Sequence, residues 1–321
     1  MPVSPLQESL ARRLRLILSI EFAACIVLGV WLWAGRGWSP VSAAVAGPLI
    51  ALGWRTAFIL TTYALARRHH SEAPPGLRRN VPALLPHVFK EVAWWSAVYA
   101  GPQAFARRFL GDGRPPGACH ARLPVLLVHG YVCNRGFWWW FSRALKARGE
   151  TVWAVTLEPI YGSIDCLAGP LAARIEQLCV ATGARRVALV THSMGGLVAR
   201  AYLRDHGGAK VARFVTLGAP HQGSVHARLG AGENARQMEP GSPWLAALAR
   251  SEAGGLTMPF ASIFSVHDNF VAPQTSGEHP AARNVPLAGV GHISLAFSRE
   301  VFALVAAELD AANAAVLPPV V

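Results

Sequence analysis

A serine with small neighbours stands where an apolar run meets a helix-forming run. Residues 187–191 are apolar or β-branched, and Ser193 is followed by Met-Gly-Gly. A strand, a sharp turn and a helix at this spacing expose a serine oxygen to a base on one side and a substrate carbonyl on the other. The helix N-terminus also favours a developing oxyanion. We interpret Ser193 as a nucleophile, with Thr191 where this turn usually has glycine; a plain helix N-cap is the alternative.

A nucleophilic serine needs a base, and the base needs an acid that orients it. His292 lies in a Gly-Val-Gly-His loop before the last predicted helix, and Asp268 follows the penultimate predicted strand. The competing acid, Asp165, precedes the serine. Among the competing histidines, His206 and His226 have helical or polar surface contexts, and His192 is expected to point away from the serine beside it. His221 follows Pro220 near the site, where a supporting role stays open. The sequence therefore predicts a triad of Ser193, Asp268 and His292.

A tetrahedral intermediate also needs backbone N–H donors for its oxyanion. One donor is expected from Met194, and the other from Tyr131 in the His-Gly-Tyr loop that ends the first predicted strand. An ordinary loop with a turn glycine is the alternative. The aromatic run 137–141 is expected to pack as a helix, with one or two rings lining a substrate channel.

These residues need a scaffold that brings the ends of several strands together. From Leu123 onward, apolar strands alternate with helices, which favours a mostly parallel sheet covered on both faces. Active residues then collect at the carboxyl ends of the strands. The predicted strands are 124–128, 151–157, 186–191, 211–217, 261–266 and 284–288, and the predicted helices are 137–148, 169–182, 194–206 and 295–312.

Four motifs follow one another along the second part of the chain: Val128–Tyr131, Thr191–Val198, Leu217–Ser224 and Gly289–His292. Through these motifs, residues 123–310 resemble the bacterial, triacylglycerol lipase-like branch of lipases and esterases in the α/β-hydrolase superfamily. The resemblance implies an α/β-hydrolase fold, the triad named above, an oxyanion hole made by the backbone amides of Tyr131 and Met194, and no metal or organic cofactor. It covers under two thirds of the chain.

The N-terminal part has a different composition. The chain has 321 residues, of which 52% are apolar and 15% charged, and its net charge is +12. Apolar segments at 16–34 and 41–66 are each long enough to cross a hydrocarbon core of about 30 Å. We expect residues 1–70 to form a transmembrane helical hairpin. A cleaved signal peptide is the competing interpretation of the first segment.

One charge lies inside each apolar segment. Glu21 precedes Gly37 of the connector by 16 residues, and Arg55 follows it by 18. At about 1.5 Å per residue, an antiparallel hairpin brings the two to similar depth. Because unpaired ions in a bilayer are costly, we predict a Glu21–Arg55 contact. Arginines flank both outer ends of the hairpin, which predicts that these ends and the catalytic domain are cytoplasmic. Together with the resemblance to bacterial enzymes, this makes a bacterial inner membrane the expected location. The periplasmic side stays open.

Four further segments complete the expected organisation. Residues 71–117 form a bridge whose helix lies either on the bilayer surface or against the catalytic domain. The catalytic domain is expected at 118–311 and a loose tail at 312–321. Residues 223–259 form an insertion that suits a lid, with Trp244, Leu245 and Leu248 facing the pocket; a plain surface excursion is the alternative.

Composition narrows the function further. Five cysteines at irregular spacing predict no disulfide framework, and neither a zinc-like spacing nor a nucleic-acid module is present in the sequence. The expected function is a membrane-anchored serine hydrolase acting on apolar or lipid esters. A thioesterase, phospholipase, polyester depolymerase or acyltransferase uses the same chemistry and stays open. A non-catalytic membrane scaffold is the alternative from another class.

Overall fold

The computed structural model describes residues 9–72, 74, 77, 84–117 and 122–316. Its first helix, α1 (Ser9–Val30), continues as a π-helical turn to Gly35, and α2 spans Pro40–Arg68. Ser39 caps α2 by accepting a hydrogen bond from the Ser42 amide, and Pro40 occupies the first turn, where its missing N–H costs nothing. By length and composition alone, both helices could cross a membrane.

The two helices form an antiparallel hairpin with close backbone approach. A Cβ atom at Gly47 would lie 2.7 Å from the Cβ atom of Cys25, so glycine is required there. The predicted ion pair is confirmed: Arg55 Nη1 donates to Glu21 Oε1 at 2.6 Å, and Nη2 donates to Oε2 at 2.5 Å. This two-point geometry leaves neither charge unpaired between the helices.

The described residues from 122 onward form a six-stranded, all-parallel sheet in the order β2-β1-β3-β4-β5-β6. The strands are β1 (Val125–Val128), β2 (Val152–Val155), β3 (Val187–His192), β4 (Val211–Leu217), β5 (Phe260–Ser265) and β6 (Arg283–Leu287). The strands β1 to β5 are buried on both faces, as expected when helices cover a parallel sheet.

Helices complete two layers around the sheet. They are α5 (Trp139–Ala147), α6 (Ile164–Thr182), α7 (Met194–His206) and α10 (Arg299–Val316). Side chains alternate along β1: Leu126 and Val128 pack toward α6 and α7, whereas Val125 and Leu127 pack toward α5 and α10. The loose tail expected at 312–321 is wrong for residues 312–316, because α10 continues through them and Ala312 is buried. Residues 317–321 lie outside the described residues.

The bridge carries α3 (Leu84–Ala100) and the short α4 (Ala106–Leu110). The apolar face of α3 packs on α2 and on the catalytic unit: Val92 clusters with Ile59, and Trp94 stacks on Phe297 at 4.3 Å between ring centroids. Of the two arrangements expected for this helix, the structure has the packed one. The domain boundary expected at residue 118 lies outside the described residues.

The insertion 223–259 contains a 3₁₀ turn (Val225–Leu229), α8 (Glu233–Gln237) and α9 (Pro243–Ser251). The expectation that Leu245 and Leu248 face the pocket is wrong. Both are buried in the core cluster that contains Leu203 of α7, and Trp244 donates its indole N–H to Asp165 at 2.8 Å. The physical reason is that α7 offers α9 an apolar partner, so its hydrophobic face is satisfied away from the pocket.

Candidate active site

The turn around Ser193 has the strained geometry that the sequence predicts. Ser193 joins β3 to α7 with φ 54° and ψ −129°, a backbone region that non-glycine residues seldom adopt. A Cβ atom at Gly195 would lie 2.6 Å from the carbonyl oxygen of His129, so the new helix needs glycine to pass this loop. Thr191 is accommodated because its buried hydroxyl donates to the Val215 carbonyl of β4 at 3.3 Å.

Asp268 and His292 meet as the sequence reasoning expects. The distance between His292 Nδ1 and Asp268 Oδ2 is 2.8 Å, and both residues are buried. The other carboxylate oxygen, Oδ1, accepts the backbone N–H groups of Phe270 and Val271 at 2.8 and 2.7 Å. These bonds fix the carboxylate, so its free oxygen can orient the imidazole and leave Nε2 available for proton transfer.

The loop after β1 lies beside the serine. Gly130 approaches Ser193 so closely that a Cβ atom on Gly130 would lie 2.9 Å from the serine Cβ. Tyr131 lines the same pocket as Ser193 and His292, and Val132 has a positive φ of 49°. Met194, the other expected oxyanion donor, is buried at the start of α7. The residues named for the oxyanion hole are therefore brought to one place.

Three polar side chains for which the sequence predicted no such role hold the His292 loop. Glu91 of α3 accepts the backbone N–H groups of Ile293 and Ser294 at 3.0 and 2.7 Å. Asn269 accepts the His292 amide at 3.1 Å, and His192 Nε2 lies 3.0 Å from the His292 carbonyl oxygen. His292 is thus fixed through its backbone on both sides, as well as through its ring.

The oxyanion loop is held from the bridge in a similar way. The Tyr99 hydroxyl of α3 donates to the Val132 carbonyl at 3.2 Å. After α3, the side-chain oxygen of Gln103 accepts the Asn134 backbone N–H at 2.9 Å, and the Gln103 backbone carbonyl accepts Asn134 Nδ2 at 2.8 Å. The sequence signal for such a role is Glu91, the one acidic residue in the mostly apolar run Leu84–Ala100.

Burial sets the protonation of several groups around the site. It lowers the pKa of His129 to about 4, which suits a neutral ring whose Nε2 accepts the Leu157 amide at 3.0 Å. Burial also lowers the pKa of His192 well below its usual value. It raises the pKa of Cys133 to about 12, so this pocket-lining cysteine stays a thiol and is a poor nucleophile.

These residues surround an apolar pocket of about 350 Å³. Ser193 and His292 line it beside side chains from several elements. The catalytic unit contributes Tyr131, Cys133, Leu229, Met238, Phe270 and Val271, among others. Two N-terminal helices contribute Phe58 and Thr62 of α2 and Trp95 and Tyr99 of α3. Among the described residues, no cluster of three or more histidine, cysteine, aspartate or glutamate side chains could hold a metal ion.

Solved lipase structures share the overall fold of this chain. The mature lipase BlEst2 of Bacillus licheniformis matches with a TM-score of 0.53 and 19% sequence identity, over 61% of this chain and 96% of that chain. Lipase B of Aspergillus fumigatus also gives a TM-score of 0.53, with 17% identity over 78% of this chain and 69% of that chain. The chain has the α/β-hydrolase fold. At these identities the likeness establishes the fold alone.

Sequence comparison adds two findings about the α/β-hydrolase part. The family model of palmitoyl protein thioesterases matches residues 124–252. Triacylglycerol lipases of Pseudarthrobacter phenanthrenivorans and Burkholderia plantarii are each 36% identical to this chain over 118 residues, which is 33% of the chain. The matches span about a third of those relatives, 35% and 32% of their lengths. The predicted resemblance to lipases and esterases is confirmed.

Proposed function

We propose that this chain is a membrane-anchored serine hydrolase that cleaves carboxylic esters of apolar or lipid substrates. The observation that carries the proposal is the buried Asp268–His292 pair, whose histidine lines one apolar pocket with Ser193 at its strained turn. A non-glycine residue with a strained backbone, next to a histidine that a carboxylate orients, is typical of an activated nucleophile. The lipases among its relatives support ester hydrolysis.

In the proposed mechanism, His292 accepts the Ser193 proton as the serine oxygen attacks the ester carbonyl. The backbone amides of Tyr131 and Met194 stabilise the oxyanion of the tetrahedral intermediate. His292 then protonates the leaving alcohol, and an acyl-serine forms. Water, deprotonated by His292, attacks this acyl group and releases the acid and free Ser193. Asp268 stabilises the imidazolium in both halves of the reaction.

The hairpin α1–α2 is proposed to anchor the protein in the bacterial inner membrane with both ends in the cytoplasm. The support is its length and composition, the internal Glu21–Arg55 pair and the row of exposed apolar side chains along both helices. Positive charge at the outer ends of the hairpin supports the orientation, with Arg12 and Arg13 before the first span and Arg67 and Arg68 after the second.

A thioesterase is the second candidate, because the family model that matches residues 124–252 describes palmitoyl protein thioesterases. The same groups would attack a thioester carbonyl, and a thiolate would leave in place of an alcohol. Parallel assays with an oxoester and a thioester of the same acyl chain separate the two. A kcat/KM higher for the thioester by tenfold or more would favour the second candidate.

The proposal is tested by hydrolysis of p-nitrophenyl esters by the full chain in detergent. Ser193→Ala is expected to abolish hydrolysis, whereas Ser251→Ala, at an exposed serine on α9, leaves it unchanged. Hydrolysis that survives in Ser193→Ala would contradict the proposed nucleophile. A well-folded wild-type chain that hydrolyses neither oxoesters nor thioesters would favour the scaffold alternative.

A further inference from the structure

The N-terminal helix α2 is part of the pocket wall as well as a candidate membrane span. Phe58 and Thr62 of α2 line the pocket that contains Ser193 and His292. The ring centroids of Phe58 and Phe270 are 6.1 Å apart, and those of Phe270 and the His292 imidazole are 5.4 Å apart. A continuous aromatic path thus leads from α2 to the proposed base.

The wall at α2 is also where the pocket opens. Phe58 lines the pocket but keeps 40% of its surface exposed, and Leu229, on the 3₁₀ turn that packs beside α2, is 75% exposed. Most of the remaining lining is buried, including Cys133, Met238 and Val271. An apolar pocket with two exposed apolar side chains at its rim suits an entrance for a hydrocarbon chain.

The depth of this rim follows from the hairpin. The exposed large apolar side chains of α2 run from Val41 to Leu60, and those of α1 begin at Leu16. Since Glu21 contacts Arg55, Leu16 and Leu60, each five residues outward, lie at one level. From Pro40 to Phe58, 18 helical rises give about 27 Å, close to the hydrocarbon thickness of about 30 Å. The rim therefore lies where the apolar band ends.

The exposed face of α3 continues this apolar band. Leu85, Phe89, Ala93 and Ala97 recur at intervals of four residues and are exposed, so they form one stripe along the helix. The opposite face of α3 packs on α2 and the catalytic unit. An apolar stripe of this kind, next to the pocket rim, suits contact with the bilayer interface.

We propose that the substrate's acyl chain enters the pocket directly from the bilayer, between Phe58 and Leu229, and lies along α2 with its ester carbonyl at Ser193. This inference rests on the proposed function and adds to it that the preferred substrates are long-chain acyl esters resident in the membrane. The hairpin then serves as one wall of the acyl site in addition to its role as an anchor.

The test compares two substitutions on α2. Phe58→Ala removes a pocket-lining ring, and Leu60→Ala removes a side chain of similar exposure, 44%, that does not line the pocket. Hydrolysis of p-nitrophenyl butyrate and p-nitrophenyl palmitate is measured in mixed micelles. We expect Phe58→Ala to lower kcat/KM about tenfold for palmitate and less than twofold for butyrate, since only the long chain reaches α2. Leu60→Ala should change neither.

A third variant guards against a general structural effect. Phe58→Trp keeps the wall but narrows the entrance, so the optimal acyl chain should become shorter and the ratio of kcat/KM for p-nitrophenyl palmitate to that for p-nitrophenyl butyrate should fall. Equal losses for both esters in Phe58→Ala, or equal behaviour of Phe58→Ala and Leu60→Ala, would overturn the inference.

Labelling by a fluorophosphonate probe separates this failure from failure of the proposed function. If the wild-type chain is labelled at Ser193 but Phe58→Ala lowers hydrolysis of the two esters equally, the proposed function stands. In that case only the proposed acyl site on α2 is overturned. A folded wild-type chain without labelling or hydrolysis overturns both.

Discussion

Glu91 offers a demanding prediction, because it lies on α3, 202 positions before the residue whose amide it accepts. It is fully buried, and its two oxygens accept adjacent N–H groups directly after His292. A Cβ atom at Gly291 would lie 2.4 Å from the Glu91 Cγ atom, so the loop and the side chain fit tightly. We expect Glu91 to act as a positioning residue for His292.

The size of the effect follows from the two hydrogen bonds. Glu91→Ala leaves two buried N–H groups without acceptors, at about 1–3 kcal/mol each, or about 2–6 kcal/mol together. The midpoint of this range is about 4 kcal/mol. If half of it, about 2 kcal/mol, goes into displacing the His292 loop, the fraction of molecules with His292 in its working position falls roughly 30-fold. Glu91→Gln keeps one acceptor oxygen and should lose about tenfold or less.

The assay measures kcat and KM for a short-chain ester, with thermal unfolding in detergent. We expect kcat to be lower than wild type in Glu91→Gln and lower still in Glu91→Ala, while KM changes little. The reason is that the His292 loop carries the base and only a small part of the pocket lining. Glu300→Gln, at an exposed carboxylate on α10, is the control. A folded Glu91→Ala protein with kcat within twofold of wild type would show that Glu91 does not position His292. So would parallel changes in kcat and KM.

Three further predictions concern the acid, the hairpin and pH. Asp268→Asn should lower kcat by about 10³–10⁴-fold, because an amide favours the wrong tautomer of His292; a loss under tenfold in steady-state assays would contradict that role. Arg55→Leu removes the cationic partner of Glu21 and leaves it only the Trp54 indole N–H at 3.4 Å, so it should destabilise the hairpin by about 3–5 kcal/mol. The double substitution with Glu21→Leu should recover much of this loss; unfolding in detergent measures both, and additive losses would argue against the pair. The pKa of His129 is lowered from 6.5 to about 4 in the folded chain, so the unfolded state binds the extra proton and stability should fall by about 3 kcal/mol as pH falls from about 6.5 to about 4. His129→Asn should flatten this part of the measured pH dependence, and an unchanged slope would contradict it.

The parts of the structure that follow from local rules were predictable from sequence. The strand-turn-helix around Ser193 carries its own signal in small residues after the turn. The Glu21–Arg55 contact follows from helical rise and a short connector, because each fixes depth along the hairpin. The pairing of Asp268 with His292 follows from their positions at the ends of neighbouring parallel strands.

The supports of the site were not predictable in the same way. Glu91 and Tyr99 reach loops that lie 33 or more positions away in the chain, and no local pattern specifies such contacts. The pocket-facing role expected for Leu245 and Leu248 failed for a related reason. An amphipathic helix shows which face is apolar but does not show which of two apolar partners covers it.

Covalent labelling shows directly whether Ser193 is a nucleophile activated by His292. The full chain in detergent is treated with a fluorophosphonate probe, and the modified peptide is identified by mass spectrometry. We expect a single adduct on Ser193, absent in Ser193→Ala and formed far more slowly in His292→Ala. A folded wild-type chain that stays unlabelled, or an adduct on another residue that survives in Ser193→Ala, would contradict it.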